Sequence, residues 1–240
     1  GTLLHSAIRD LYVNLRGRTI DKDVLEAISN NKKEISFLIN EAIRKEFRRE
    51  DDSFIAPNEQ IVKNVLATYF TRIIEIDKKN APFTLVDVEK PVHFRISATG
   101  IDVTAGGVID RIDEHMETTR IVDYKTGATS SSIASVSDLF LEDRKKDGDA
   151  WLQTLLYCEA YLAMMPGTRV APSVYKIKNF QDDLESDRLE IKASKQPGVR
   201  IDDYSMIRQE FMEGLSSVIR KIYSADEPFI MTDDIWSKCA

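Results

Sequence analysis

The chain has 240 residues, of which 42% are hydrophobic and 30% are charged, as is typical of a globular domain with a substantial core. Its net charge of −7 argues against a generally basic nucleic-acid coat, but not against a local basic track or a metal that screens phosphates. Two cysteines and no apolar run of membrane-spanning length argue against a disulfide framework and a membrane partner, and favour the cytoplasm.

Residues 1–81 predict an N-terminal helical part. Apolar side chains recur at helical spacing in three stretches, the second from Ile35 to Phe47 and the third from Val62 to Ile76. Pro57 suits the first turn of the third helix. Both ends of the sequence resemble cuts in a larger protein, so we expect one continuous domain excised from a longer chain.

Residues 82–240 predict a core of mixed strands and helices. Three short runs rich in β-branched residues, the last being TRIVDYKTG, indicate an antiparallel meander. A long loop, a helix over about 150–164, the strand RVAPSVYKI and a closing helix from Tyr204 to Ile222 follow. This order of elements predicts a mixed α/β architecture.

The strand IVDYK carries an unusual pair of charges. Because side chains alternate along a strand, Asp123 and Lys125 project from one side and Tyr124 from the other. The apolar flanks indicate a central strand, where an aspartate is costly unless a cation neutralises it.

Asp110 lies in the preceding strand, and hairpin geometry brings its carboxylate near that of Asp123. Two adjacent carboxylates raise each other's pKa unless they are neutralised. Lys125 supplies one positive charge, and a hard divalent cation such as Mg²⁺ suits the carboxylate pair. A metal beside a lysine is suited to phosphodiester hydrolysis.

Four separated motifs resemble those of the RecB-like branch of the PD-(D/E)XK nuclease superfamily, which includes AddB-type nuclease domains. The motifs are His5 in GTLLH, Gly107 to Arg111, Asp123 to Gly127, and Gln153 to Tyr157. The resemblance extends over nearly the whole chain. It implies an α/β fold with a restriction-endonuclease-like αβββαβ core, whose mixed central sheet is flanked by helices, plus the N-terminal helical region that carries the histidine.

The resemblance also implies roles for these residues. Lys125 would be the catalytic lysine, acting with both aspartates, while Gln153 and Tyr157 would support the site and contact DNA from one helix face. The implied ligands of Mg²⁺ or Mn²⁺ are His5, Asp110, Asp123 and the backbone carbonyl of Tyr124.

Two features depart from the family's patterns. Ile109 stands where the superfamily's name has a proline, a difference common in this branch. AddB-type relatives bind an iron–sulfur cluster through four cysteines, and Cys239 lies where their C-terminal group begins. The chain as given cannot bind such a cluster, whereas a longer parent protein with further cysteines would.

The resemblance implies a nuclease, most often an exonuclease acting on single-stranded DNA ends, attached to a helicase domain or subunit in double-strand-break repair and recombination. The chain lacks a GxxxxGK[ST] phosphate loop, so a motor would lie elsewhere. Two alternatives remain open: a nuclease-fold module that binds nucleic acid without cutting it, and an α/β domain for a small molecule or protein whose acids are coincidental.

Two further charged residues are less decisive. We expect Glu89 to end a strand beside Pro91, with a weak case for a metal role. Arg111 either pairs with a neighbouring acid or reaches a phosphate.

Lys145 and Lys146 stand in the loop expected to border the cleft. Replacing both with alanine should weaken DNA binding and flatten its salt dependence, because two phosphate contacts would be lost. Binding titrations over a salt series check this, and an unchanged slope contradicts it.

Overall fold

Helices cover both faces of a central mixed sheet. A computed structural model describes residues 2–47, 57–98, 100–127, 129–142, 148–178, 187–193, 197–226 and 228. The α-helices within this part are α1 (Thr2–Tyr12), α2 (Lys22–Asn30), α3 (Lys32–Glu46), α4 (Pro57–Asn80), α5 (Asp149–Met164) and α6 (Arg208–Ile222).

The strands of the described residues form two sheets. They are β1 (Thr19–Ile20), β2 (Phe83–Ala98), β3 (Ile101–His115), β4 (Thr118–Lys125), β5 (Ser132–Ile133), β6 (Val170–Lys176), β7 (Glu190–Ile191) and β8 (Val199–Arg200). The central sheet has the order β1-β2-β3-β4-β6, and a smaller sheet has the order β5-β7-β8.

Tight turns make strands β2, β3 and β4 antiparallel, and a helix makes β6 parallel to β4. Gly100, at φ +81°, lies in the turn between β2 and β3, and Met116 and Glu117 adopt positive φ in the turn between β3 and β4. Helix α5 then returns the chain so that β6 runs parallel to β4, as a crossover requires. Strand β4 therefore lies inside the sheet, between β3 and β6.

Each face of the sheet has its own hydrophobic core. Val122 and Tyr124 of β4 pack with the apolar residues of α1 to α4. Ile121 packs on the opposite face, with the apolar residues of α5 and α6. Alternation along β4 thus sends its odd-numbered and even-numbered residues to different cores.

The predicted αβββαβ core is confirmed as α1, then β2, β3 and β4, then α5 and β6. Three local expectations need correction. Helix α2 and strand β1 had no counterpart in the predicted elements. The expected long loop contains β5 and a 3-10 turn at Val136–Phe140. The closing helix starts at Arg208 instead of Tyr204. A 3-10 turn at Tyr204–Met206 precedes it, capped by Asp203.

A helix that crosses a membrane must be both long and apolar. None in the described part of the chain is both long and apolar enough to cross a bilayer.

Candidate metal centre and active site

Helix α1 and strands β3 and β4 bring three of the predicted metal ligands into contact. The imidazole of His5 lies with Nδ1 3.1 Å from Asp110 Oδ1 and Nε2 3.2 Å from the Tyr124 carbonyl oxygen. The other carboxylate oxygen of Asp110 accepts a hydrogen bond from the Tyr124 backbone N–H at 2.8 Å. One carboxylate therefore joins α1 to β4.

These contacts lie where two strands separate. The β3–β4 ladder runs from His115, opposite Thr118, to Arg111, opposite Val122, and Asp110 is the next residue of β3. Beyond the last pair, the Asp110 side chain accepts the hydrogen bond of the Tyr124 N–H, which a backbone carbonyl of a neighbouring strand would otherwise accept. At the end of the ladder a polar side chain thus replaces backbone pairing.

The remaining predicted residues form a hydrogen-bonded row. Lys125 Nζ donates to Asp123 Oδ1 at 2.9 Å and to Gln153 Oε1 at 2.8 Å. Gln153 Nε2 in turn donates to the Tyr157 hydroxyl at 2.9 Å. The helical spacing of Gln153 and Tyr157 on α5 makes this row continuous, and it fixes the lysine from the α5 side of the sheet.

One carboxylate oxygen of Asp123 lacks a well-directed hydrogen-bond donor among the described residues. The residue is 1% exposed, and its Oδ2 lies 2.8 Å from Lys125 Nζ but accepts no well-directed hydrogen bond within the described part of the chain. A buried carboxylate oxygen without a full set of donors is costly. Such an oxygen suits a bound cation.

Glu89 was underestimated from the sequence. Strand β2 continues past it to Ala98, and one ligand atom each of His5, Glu89 and Asp110 lies within 4.8 Å of the others. Asp123 is not a member of this close group. The antiparallel register sets Val88 opposite Arg111, and so carries Glu89 to the level of Asp110.

The backbone of Glu89 is in the left-handed region, with φ +49°. A residue other than glycine rarely adopts this conformation in a strand. The signal available in the sequence was an acid inside a β-rich run; the register that places it at the site was not available.

Burial and neighbouring negative charge raise the pKa values of two acids at this site. Burial, then the charge of Asp110, raises the pKa of Asp123 from 3.8 to about 6, although Lys125 opposes the shift. Burial and Asp110 also raise the pKa of Glu89. For His5, burial opposes protonation, but the hydrogen bond and charge of Asp110 outweigh it and raise the pKa. A divalent cation with oxygen and imidazole ligands would relieve this repulsion, so these residues fit such an ion.

A family model described as the PD-(D/E)XK nuclease superfamily matches residues 1–239. The chain belongs to this superfamily. Membership indicates a nuclease, and therefore a nucleic-acid substrate and, as is general for these enzymes, a divalent metal. No curated protein matches the chain significantly.

Four further residues singled out from the sequence are not part of the candidate site in the described structure. Arg111 is fully buried and pairs with acids, so its guanidinium does not reach a phosphate. Lys145, Lys146 and Cys239 lie outside the described residues.

Gly107 packs closely against the Tyr157 ring at the candidate site. A Cβ at Gly107 would lie 2.8 Å from the Tyr157 hydroxyl oxygen and 2.9 Å from ring carbon Cε1. We expect Gly107→Ala to destabilise the fold by about 1–3 kcal/mol through overpacking. In a Tyr157→Leu background the substitution should cost little, because the clashing atoms are gone. Thermal unfolding of the four proteins checks this, and an equal cost in both backgrounds contradicts it.

The raised pKa of Asp123 predicts a pH-dependent stability in the metal-free protein. Between pH 3.8 and about 6 the native state binds more protons at Asp123 than the unfolded state, so the stability contributed by this group falls as pH rises through that window. Asp123→Asn removes the dependence. Its stability relative to wild type should rise by up to about 3 kcal/mol between pH 4 and pH 7.

Urea unfolding in the presence of a chelator, across that pH range, measures the difference for Asp123→Asn. A difference that stays constant with pH would show that Asp123 titrates normally.

Proposed function

We propose that the chain is a Mg²⁺- or Mn²⁺-dependent deoxyribonuclease that hydrolyses phosphodiester bonds. The observation that carries the proposal is the placement of the His5, Glu89 and Asp110 group beside the buried Asp123–Lys125 pair. Acids that lack enough cations, next to an ammonium group held in place, are what metal-assisted phosphodiester hydrolysis requires.

The metal would be held by His5, Asp110, Asp123 and the Tyr124 carbonyl, with Glu89 as an additional carboxylate. The contacts that support this set are those of the His5 ring with Asp110 and with the Tyr124 carbonyl. When bound, the ion supplies Lewis acidity and lowers the pKa of a coordinated water.

Lys125 is proposed to act directly on the reacting group. An ammonium has three N–H donors, and Asp123 and Gln153 accept two of them. The third remains to orient a water or to stabilise negative charge on a phosphate oxygen. The Lys125 side chain is 25% exposed, so substrate can approach it.

Gln153 and Tyr157 are proposed to keep the lysine in this geometry. The Gln153 amide accepts from Lys125 through Oε1 and donates to the Tyr157 hydroxyl through Nε2, which fixes the orientation of the amide. Tyr157 is buried against Gly107, so the row ends on a packed residue. The row therefore restrains the ammonium without adding charge.

The finer assignments rest on the resemblance of the motifs to RecB/AddB-like nuclease domains. We propose an exonuclease that acts on single-stranded DNA ends in the cytoplasm. We further propose that it works with a helicase domain or subunit in double-strand-break repair and recombination. A longer parent protein with additional cysteines would also hold an iron–sulfur cluster.

The activity is tested with labelled linear DNA, single-stranded and duplex, in Mg²⁺, Mn²⁺ or chelator. Wild type should cut only with a metal, and Lys125→Ala should lower the rate by about a hundredfold or more because the positioned ammonium is lost. The matched control is Lys79→Ala, the same change at an exposed lysine of α4, which should retain wild-type activity.

Calorimetry with Mn²⁺ separates metal binding from chemistry. Lys125→Ala should bind Mn²⁺ at least as well as wild type, since the lysine competes for the Asp123 carboxylate. Binding of Mn²⁺ and DNA without cleavage under any condition would replace the proposal with a non-cutting nucleic-acid-binding module. A circular single-stranded substrate that is cut as fast as a linear one would refute the exonuclease assignment.

A further inference from the structure

Beneath the site, on the α1–α4 face of the sheet, lies a second group of charges that is completely enclosed. Arg111 and Asp113 of β3, Asp77 of α4 and Arg120 of β4 are each no more than 1% exposed. Two acids and two arginines balance, so this group needs no added cation. It differs in this respect from the metal centre above it.

Arg111 occupies the middle of the group. Its Nε donates to Asp113 Oδ2 at 2.9 Å, and its Nη1 donates to Asp77 Oδ2 at 2.9 Å. The guanidinium also stacks over the Phe83 ring, 4.5 Å from the centroid. The planar fork of the guanidinium therefore meets acids from a helix and from its own strand at once, which a lysine does not reproduce.

Asp77 joins the helix of His5 to this group. The hydroxyl of Tyr12, on α1, donates to Asp77 Oδ2, and the hydroxyl of Tyr175, on β6, donates to Oδ1 at 2.9 Å. Helices α1 and α4 and strands β3 and β6 thus meet at one carboxylate. The orientation of α1, and with it the position of His5, depends on that meeting point.

Tyr124 connects the enclosed charges to the metal centre. Its hydroxyl accepts a hydrogen bond from Arg111 Nη1 at 3.2 Å. Its backbone N–H is bound by Asp110, and its carbonyl faces His5. One residue therefore has its ring held by the buried arginine and its backbone bound by two proposed metal ligands.

Burial of four charges is not an economical way to stabilise a fold. Well-packed apolar residues of similar volume are often as stable or more so, whereas buried polar groups can specify one geometry. The β3–β4 ladder ends at Arg111, so at Asp110 backbone pairing no longer sets the distance between the strands. The Arg111–Tyr124 hydrogen bond supplies a restraint there.

We infer that Arg111, held by Asp77, is a positioning residue for the metal centre. It fixes the Tyr124 ring, and thereby keeps the Tyr124 backbone aligned with Asp110 and His5. The inference rests on the proposed metal site. It adds that the affinity of this site depends on a residue that touches neither metal nor DNA.

The experiment compares two conservative changes at enclosed arginines. Arg111→Lys keeps the charge but loses the fork that reaches Tyr124. Arg120→Lys is the matched control, because Arg120 binds Asp113 at 2.5 Å and, within the described part of the chain, makes no hydrogen bond to Tyr124. Both variants should lower Tm, since each disturbs a buried ion pair.

The dissociation constant for Mn²⁺, measured by calorimetry, should separate the two variants. Arg111→Lys should weaken binding about tenfold or more, the usual effect of losing a group that orients a ligand, and Arg120→Lys should leave it unchanged. Tyr124→Phe, which removes only the hydroxyl, should weaken binding in the same direction. The double variant Arg111→Lys/Tyr124→Phe should bind Mn²⁺ no worse than Arg111→Lys alone, because both changes break the same Arg111–Tyr124 hydrogen bond.

A readout on the metal-free protein makes the inference independent of activity. The chain has three histidines, so the ring ¹⁵N resonances of His5 can be assigned by substitution. They should shift in Arg111→Lys and Tyr124→Phe but not in Arg120→Lys. If Arg111→Lys fails to fold, Tyr124→Phe decides the question alone.

Equal effects of Arg111→Lys and Arg120→Lys on Mn²⁺ affinity and on His5 would overturn the inference, as would no effect of Tyr124→Phe on either. Wild type that binds Mn²⁺ but cuts no DNA would refute the proposed function alone. Wild type that binds no Mn²⁺ would refute the metal site, and the His5 resonances would still show whether Arg111 positions Tyr124.

Discussion

The contact on which the site depends is the Asp110 carboxylate, which binds the Tyr124 N–H with one oxygen and faces the His5 ring with the other. It joins α1, β3 and β4 at the point where the backbone ladder between the two strands ends. A backbone bond at this position would have closed the sheet and excluded polar groups. Here a side-chain bond replaces the backbone bond, and the same carboxylate faces the His5 ring. The end of the ladder and the placement of His5 therefore involve one residue, Asp110.

The two groups of charge that meet at β4 follow opposite rules. On the α1–α4 side, Arg111 and Arg120 neutralise Asp77 and Asp113, and the ion pairs are sealed from water. At the proposed metal centre, Glu89, Asp110 and Asp123 outnumber Lys125 and the His5 ring, and burial raises the pKa of Asp123 to about 6. A balanced buried group is stable in one arrangement and favours rigidity, whereas an unbalanced one binds whatever restores neutrality. The balanced group lies beneath the one that is proposed to bind an ion.

Much of this arrangement follows from local sequence pattern, and the rest does not. Strand alternation predicted that Asp123 and Lys125 share a side, and helical spacing predicted that Gln153 and Tyr157 act together. The place of β4 inside the sheet followed from its apolar flanks. Periodicity gives the face of an element but not its register against another element, so Glu89 was underestimated: the β2–β3 register and a left-handed backbone bring it to the site. The neighbouring acid Asp113 was a foreseeable partner of Arg111, but Asp77 was out of reach, because it precedes Arg111 by 34 residues on a separate helix.

Tyr124 shows how one strand serves both groups. Its neighbours Asp123 and Lys125 point towards the α5 side, where their ion pair joins Gln153, so alternation sends the Tyr124 ring into the α1–α4 core. The backbone does not alternate in this way, and its N–H and carbonyl remain at the metal centre while the ring is held by Arg111. An apolar residue at position 124 would fill the core equally well but would carry no hydrogen bond across to β3. The aromatic hydroxyl at this position therefore couples packing in the α1–α4 core to the backbone contacts of Tyr124 with Asp110 and His5.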